Sequence, residues 1–180
     1  MNKLSQLAAA ALEKNSNDPA IEFEGRWYSW NEVNALANRL TVLIDDCGVP
    51  ANGPIVFIAR SQAASIAAFL ALIRTGRTIR MVYPFQSPAG IVRDIQMMQP
   101  SIVVATQREL KDEVLAGIRE QNAAAIVISE MDAQRVPGFE TSTATLPADL
   151  PGDPRAQDVV RAARPGRGRW SPARSGPPWS

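Results

Sequence analysis

Ile55-Val-Phe-Ile-Ala59, followed by Ser61 to Phe69-Leu-Ala-Leu-Ile-Arg-Thr-Gly76, decides the fold. The first run is short, apolar and rich in β-branched residues, the pattern of a strand buried on both faces. The second is long enough for a helix. Ser61 can cap its start, Phe69, Leu72 and Ile73 recur at helical spacing, and Gly76 can close it in a left-handed conformation. A buried strand followed at once by a helix is the first half of a parallel crossover unit. The pattern then repeats. Thr78 to Val82 reads as the next strand, and Ser87-Pro88 places a cap before a proline at the first helical position. That helix runs to Met98 and stops before Pro100. Ser101-Ile-Val-Val-Ala105 reads as a third buried strand, and Thr106-Gln-Arg-Glu109 as a capping box opening a helix to about Glu120. Ala124-Ala-Ile-Val-Ile128 is a fourth strand. Strand and helix alternate at roughly 20–25 residues, which predicts an α/β fold: a mostly parallel sheet flanked by helices on both faces. Strand order does not follow from the pattern.

Upstream, Ala20-Ile-Glu-Phe23 and Arg26-Trp-Tyr28 flank Glu24-Gly25 and predict a small β-hairpin. Ser29-Trp-Asn-Glu32 matches a capping box. Val33, Leu36, Ala37, Leu40, Leu43, Ile44 and Cys47 then form an apolar helical stripe, with Gly48 placed as its left-handed terminus. Met1 to Leu12 reads as an amphipathic surface helix. Gln6 interrupts its apolar run, and Glu13 and Lys14 stand where a signal peptide would need small residues.

The 180 residues have 46% hydrophobic and 21% charged residues, ordinary for a globular chain able to bury a core. There is no histidine, which excludes Ser-His-Asp and Cys-His catalysis, histidine metal sites and a histidine pH switch. The single cysteine, Cys47, excludes an intramolecular disulfide and a cysteine zinc cluster. No run approaches the ~20 apolar residues of a membrane span, so a cytoplasmic location is expected. The net charge of +1 excludes a chain-wide basic surface for nucleic acid.

That total hides an asymmetry. Residues 1–150 carry 13 Lys+Arg against 16 Asp+Glu; residues 151–180 carry six Arg against two Asp, with six Pro and four Gly. No Ile, Leu, Met or Phe follows Leu150. Two regions are therefore expected: an α/β subdomain over 1–150 and a disordered Arg/Pro/Gly-rich tail over 151–180, with the boundary near Leu146–Pro154.

The body resembles the N-terminal part of the adenylate-forming (AMP-binding) ligases: acyl-CoA synthetases, aryl acid ligases and nonribosomal peptide adenylation domains. The likeness spans about Asp18 to Ser129. Asp18-Pro-Ala-Ile21, the hairpin and Tyr28-Ser-Trp-Asn-Glu-Val33 look like the family's opening "pAv…g…lTYxEL". Asn34 to Leu40 and Gly48-Val49 look like the helix after it and its "Gv…GD" end. Ile55 to Ser61 with Phe69 to Gly76 resembles "VAI…S…a.lA.lkaG". Val82-Tyr-Pro84 falls at "vPlDP", and Ile91 to Gln99 with Pro100-Ser-Ile-Val-Val104 resembles "l..il.dsqp.vvlt". Pro54, Arg77, Arg80 and Met81 depart from these motifs.

The resemblance implies ATP and Mg as cofactors of intact relatives, a carboxylic acid as substrate, and CoA or a carrier-protein thiol as acyl acceptor. It also implies a phosphate-binding loop of the type "TSGTTGxPKG" shortly after residue 155. Here the chain reads Asp158-Val-Val160 and Arg161-Ala-Ala-Arg-Pro-Gly-Arg-Gly-Arg169, and its last lysine is Lys111. No catalytic, cofactor-binding or metal residue is therefore assigned: the chain is expected to be a truncated, inactive ligase piece that uses no cofactor itself and self-associates through uncovered apolar surface. The tail's composition fits out-of-frame translation of GC-rich sequence from about residue 155–162, and reading the other two frames tests that. The alternatives are a non-catalytic α/β binding module and a nucleic-acid binder acting through Arg164-Pro-Gly-Arg-Gly-Arg-Trp170.

The remaining conspicuous residues read as structural. Cys47 lies on the apolar stripe and is expected to be a core thiol. Asp45-Asp46 lacks a third nearby carboxylate for a metal. Met97-Met98 is expected to fill the core, and Trp27, Tyr28 and Trp30 to pack the hairpin onto the body.

Overall fold

The computed structural model describes residues 3–14 and 16–139. The expected tail over 151–180, with its Arg/Gly cluster, lies outside the described residues.

The elements run α1 (Lys3–Leu12), β1 (Pro19–Phe23), β2 (Arg26–Ser29), α2 (Trp30–Asp45), β3 (Ile55–Ile58), α3 (Ala63–Thr75), β4 (Ile79–Val82), α4 (Pro88–Met98), β5 (Ile102–Thr106), α5 (Asp112–Glu120), β6 (Ala124–Ser129) and β7 (Asp132–Arg135). β1 and β2 form the expected antiparallel hairpin, turning at Glu24 and Gly25 with φ of 51° and 78°. The other strands form one sheet in the order β4-β3-β5-β6-β7. The first four are parallel, and β7 folds back antiparallel on β6.

Successive strand residues point to opposite faces, and each face has its own core. Ile55 and Phe57 of β3, Ile102 and Val104 of β5, and Ala124, Ile126 and Ile128 of β6 pack with α2 and α3. Val56 and Ile58, Val103 and Ala105, and Ala125 pack with α4 and α5. Both faces are covered, so the strands read as unbroken apolar runs rather than alternating ones. The α2–α3 layer is tied by Arg74, whose Nη2 donates to the Ala37 carbonyl at 3.0 Å and to Thr41 Oγ1 at 2.7 Å. Arg39 Nε donates to the Ala133 carbonyl at 3.2 Å and holds α2 on β7.

Local signals hold at several element ends. Ser29 and Glu32 make the full capping box: Ser29 Oγ accepts from the Glu32 amide at 3.3 Å, and Glu32 Oε2 accepts from the Ser29 amide at 2.7 Å. Ser87 caps α4, Pro88 opens it, and Gly76 closes α3 at φ 70°. Gly48 is left-handed at φ 64°, but α2 ends earlier, at Asp45 with Asp46 as its cap.

Four expectations fail for physical reasons. α3 starts at Ala63 with Gln62 at the cap position and no side-chain cap, so Ser61 does not cap it. Thr106-Gln-Arg-Glu109 does not open α5, which starts at Asp112. Thr106 instead pairs with Ile128 as the last residue of β5. Of the Met97-Met98 pair, Met98 packs against the core on the α4–α5 face as expected, but Met97 is 71% exposed, because the buried stripe of α4 is Ile91 and Ile95 and a residue two positions further on faces away. Trp27 is 62% exposed, on the outer face of a hairpin too thin to bury both faces. Trp30 does pack against the core beside Ala20 and Ile21.

Candidate functional site

The chain leaves β3 through α3 to the edge strand β4, then returns through α4 past β3 to β5. The progression then continues outward to β6. The direction therefore reverses between β3 and β5. In open parallel sheets a crevice forms outside the carboxyl ends of the two strands flanking such a reversal, because their connections leave on opposite faces. Arg60 follows β3, and Thr106, Arg108 and Glu109 lie at and just beyond the end of β5.

Arg60 and Glu109 meet there. Glu109 has a side chain only 1% exposed. Its Oε1 accepts from Arg60 Nε, and its Oε2 accepts from the Thr106 hydroxyl. Both carboxylate oxygens are thus engaged in a place with almost no water, the condition under which a buried charge is tolerated. The Arg60 guanidinium also lies over the Phe85 ring, 4.4 Å from its centroid, and Phe85 in turn contacts Tyr83 at 5.4 Å. A cavity of about 140 Å³ opens beside this pair, lined by Arg60, Arg108, Glu109, Lys111, Gln86 and Ile91 among others. Two further hollows lie along the same edge of the sheet. One, of about 180 Å³, is lined by Phe23, Tyr28, Gln62 and Met131; the other, of about 220 Å³, by Thr106, Arg108, Ser129 and Glu130.

Of the residues named from sequence, Arg108 and Glu109 of the supposed Thr106–Glu109 box, Pro84, Pro88, Ile91 and Lys111 line this crevice, whereas Cys47, Asp45 and Asp46 do not. Cys47 is buried, its Sγ donates to the Leu43 carbonyl at 3.1 Å, and burial pushes its thiol pKa up. That is the core thiol expected and the opposite of an activated nucleophile. Asp45 and Asp46 are exposed, and no group of three His, Cys, Asp or Glu able to hold a metal occurs among the described residues. The sequence reading missed Arg60, Arg108 and Lys111 as site residues. The available signal was the position of Arg60 and Arg108 just beyond two buried β-branched runs; Lys111 comes later, at the cap position of α5.

Comparison with known proteins places most of the chain. Residues 8–164 match the family model described as AMP-binding enzyme. Surfactin synthase subunits 2 and 1 of Bacillus subtilis (strain 168) are each 26% identical over 92 residues, 49% of this chain. The chain spans only 3% of the length of either. In three dimensions it is similar to IdnL1, with a TM-score of 0.63 and 15% identity over 86% of this chain and 30% of that one. It is likewise similar to apo MatB from Rhodopseudomonas palustris, with a TM-score of 0.59 and 20% identity over 71% of this chain and 25% of that one. The chain belongs to the AMP-binding enzyme family, and its α/β unit is the N-terminal part of the adenylate-forming fold. No helix among the described residues is long and apolar enough to cross a membrane.

Proposed function

We propose that this chain supplies the N-terminal α/β subdomain of a cytoplasmic, ATP-dependent, AMP-forming carboxylate ligase, and that these 180 residues alone do not catalyse adenylation. Residues 1–150 are the subdomain in this reading, and 151–180 a tail outside it. Intact relatives would join a carboxylate to AMP with release of pyrophosphate, and then pass the acyl group to the thiol of CoA or a carrier protein. The observation that carries the reading is a family match over residues 8–164 in a sequence whose last lysine is Lys111.

Carboxylate attack on the α-phosphate brings negative charges together. The barrier falls only where preorganised cations and N–H donors receive that charge, typically on a glycine-rich loop carrying a lysine. The described residues do not fit ATP: no such loop occurs among them, and the cavity at Arg60 is smaller than the ~300–1,000 Å³ that holds drug-sized ligands. No step through the nucleotide is assigned to this chain.

ATP–pyrophosphate exchange by the purified chain tests this, with fatty, aryl and amino acids supplied in turn. Exchange at background with every acid is expected. Exchange that depends on one acid and co-purifies with the protein would refute the inactivity.

A further inference from the structure

We propose that the crevice between the ends of β3 and β5 binds one small oxyanion, a phosphate or carboxylate group, on the terminal nitrogens of Arg60 flanked by Arg108 and Lys111. Three observations converge on it. The first is place: the cavity opens at the reversal point of the parallel sheet, where the backbone itself leaves a crevice.

The second is charge. Arg60, Arg108 and Lys111 line the cavity against a single carboxylate, Glu109, for a net +2. Arg108 and Lys111 have no ion pair among the described residues, and both are exposed enough to turn toward a ligand. Asp112 and Glu113, the acidic first turn of α5, are exposed and outside this lining. Both Glu109 oxygens are occupied, so the carboxylate holds Arg60 rather than meeting the ligand.

The third is preorganisation. Arg60 is held on two sides, at Nε by Glu109 and across its plane by Phe85, with its side chain 20% exposed. Its Nη1 and Nη2 have no hydrogen-bond partner among the described residues. A guanidinium fixed in this way presents two parallel N–H donors with little entropy left to lose, the geometry that matches a carboxylate or phosphate edge. A volume of about 140 Å³ suits one such group and not a nucleotide. The proposal does not rest on the ligase reading, and pyrophosphate exchange does not test it.

Equilibrium dialysis of the full chain against radiolabelled inorganic phosphate, and separately acetate, at constant ionic strength is the test. Saturable one-to-one binding of at least one of them is expected; the tighter of the two identifies the group. Arg60→Gln should weaken it about tenfold, the effect of one charge-assisted hydrogen bond. Because Arg60→Gln also leaves Glu109 short of a partner, the deciding variant is Arg108→Gln with Lys111→Gln. Both side chains are exposed, so the thermal midpoint should stay in place while binding weakens by a similar factor. Absence of saturation with both anions, or binding unchanged in the double variant, overturns the proposal.

Discussion

Arg60 and Glu109 lie 49 positions apart, yet the Glu109 carboxylate accepts the Arg60 Nε–H at the shared end of two adjacent parallel strands. The pair is asymmetric: the Glu109 side chain is 1% exposed and that of Arg60 20%. Removing one partner of a buried pair costs ~3–5 kcal/mol when the other charge is stranded. Arg60→Met strands Glu109 and should cost about 3 kcal/mol. Glu109→Gln leaves an amide oxygen for Nε and an Arg60 that still reaches water, and should cost about 1–2 kcal/mol. Urea unfolding of both variants checks the order. Equal losses, or a larger loss for Glu109→Gln, would mean that Arg60 does not neutralise Glu109.

The cap of α2 makes a second expectation. Ser29→Ala removes the acceptor for the Glu32 amide and should cost ~1 kcal/mol in thermal or urea unfolding. Glu32 has its pKa held below 4.5, chiefly by the Ser29 backbone N–H, then by Ser29 Oγ and Arg26. A folded-state pKa below the unfolded one favours the folded state above 4.5, and that contribution fades as pH falls through the folded value. Glu32→Gln keeps an acceptor for Ser29 but has no proton to gain. The stability gap between the native chain and this variant should therefore be constant above pH 5 and shrink below 4.5. A gap that does not change between pH 6 and 3 would show that the Glu32 charge adds nothing at the cap.

The parts of the fold legible in sequence are those whose cause is local. Ile55 to Ile58, Ile102 to Ala105 and Ala124 to Ile128 are apolar throughout because both sheet faces are covered, and Ser29 with Glu32 satisfies donors three residues apart. What was missed depends on partners distant in sequence. Thr106 and Glu109 have the spacing of a capping box, but Thr106 is drawn into the ladder opposite Ile128 and Glu109 is claimed by Arg60. β7 is Asp132-Ala-Gln-Arg135, with little strand propensity. It is held by its register on β6, and the turn before it uses Glu130 and Met131 at φ of 39° and 63°. Those two residues carry no turn signal, because left-handed hairpin positions are normally marked by Gly, Asn or Asp. The crevice required the strand order, which no single segment encodes.

The edge strand β4 predicts self-association. Among the described residues Ile79–Val82 is paired on one side only, by β3, and the exposed side chains there include Met81 at 55%, Tyr83 at 66% and Phe85 at 63%. An unpaired strand flanked by large apolar side chains recruits further strands, and natural edges suppress this with lysine. Light scattering should show oligomers growing with concentration, and Met81→Lys should shift the population toward monomer without lowering the unfolding midpoint. A native chain that stays monomeric at high concentration, with no binding of a dye for apolar surface, would count against it.

The contact between α4 and α5 gives the last prediction, because two effects oppose there. Gly117 lies mid-helix in α5, where alanine would ordinarily stabilise by ~1 kcal/mol. A methyl group at that position would sit 2.8 Å from Val92 Cγ1, 3.0 Å from Cγ2 and 3.3 Å from Cβ. Valine is branched at Cβ and has one strongly preferred rotamer in a helix, so it cannot swing aside as a long side chain would. Overpacking of this kind costs ~1–3 kcal/mol and outweighs the helix gain. Gly117→Ala should therefore destabilise by about 1 kcal/mol net. Val92→Ala removes both obstructing γ carbons, so the double variant should be more stable than the two single losses predict, with a favourable coupling of about 1 kcal/mol. Urea unfolding of the four proteins closes the cycle. A stabilising Gly117→Ala, or additive losses, would mean that α4 and α5 are further apart than their packing here requires.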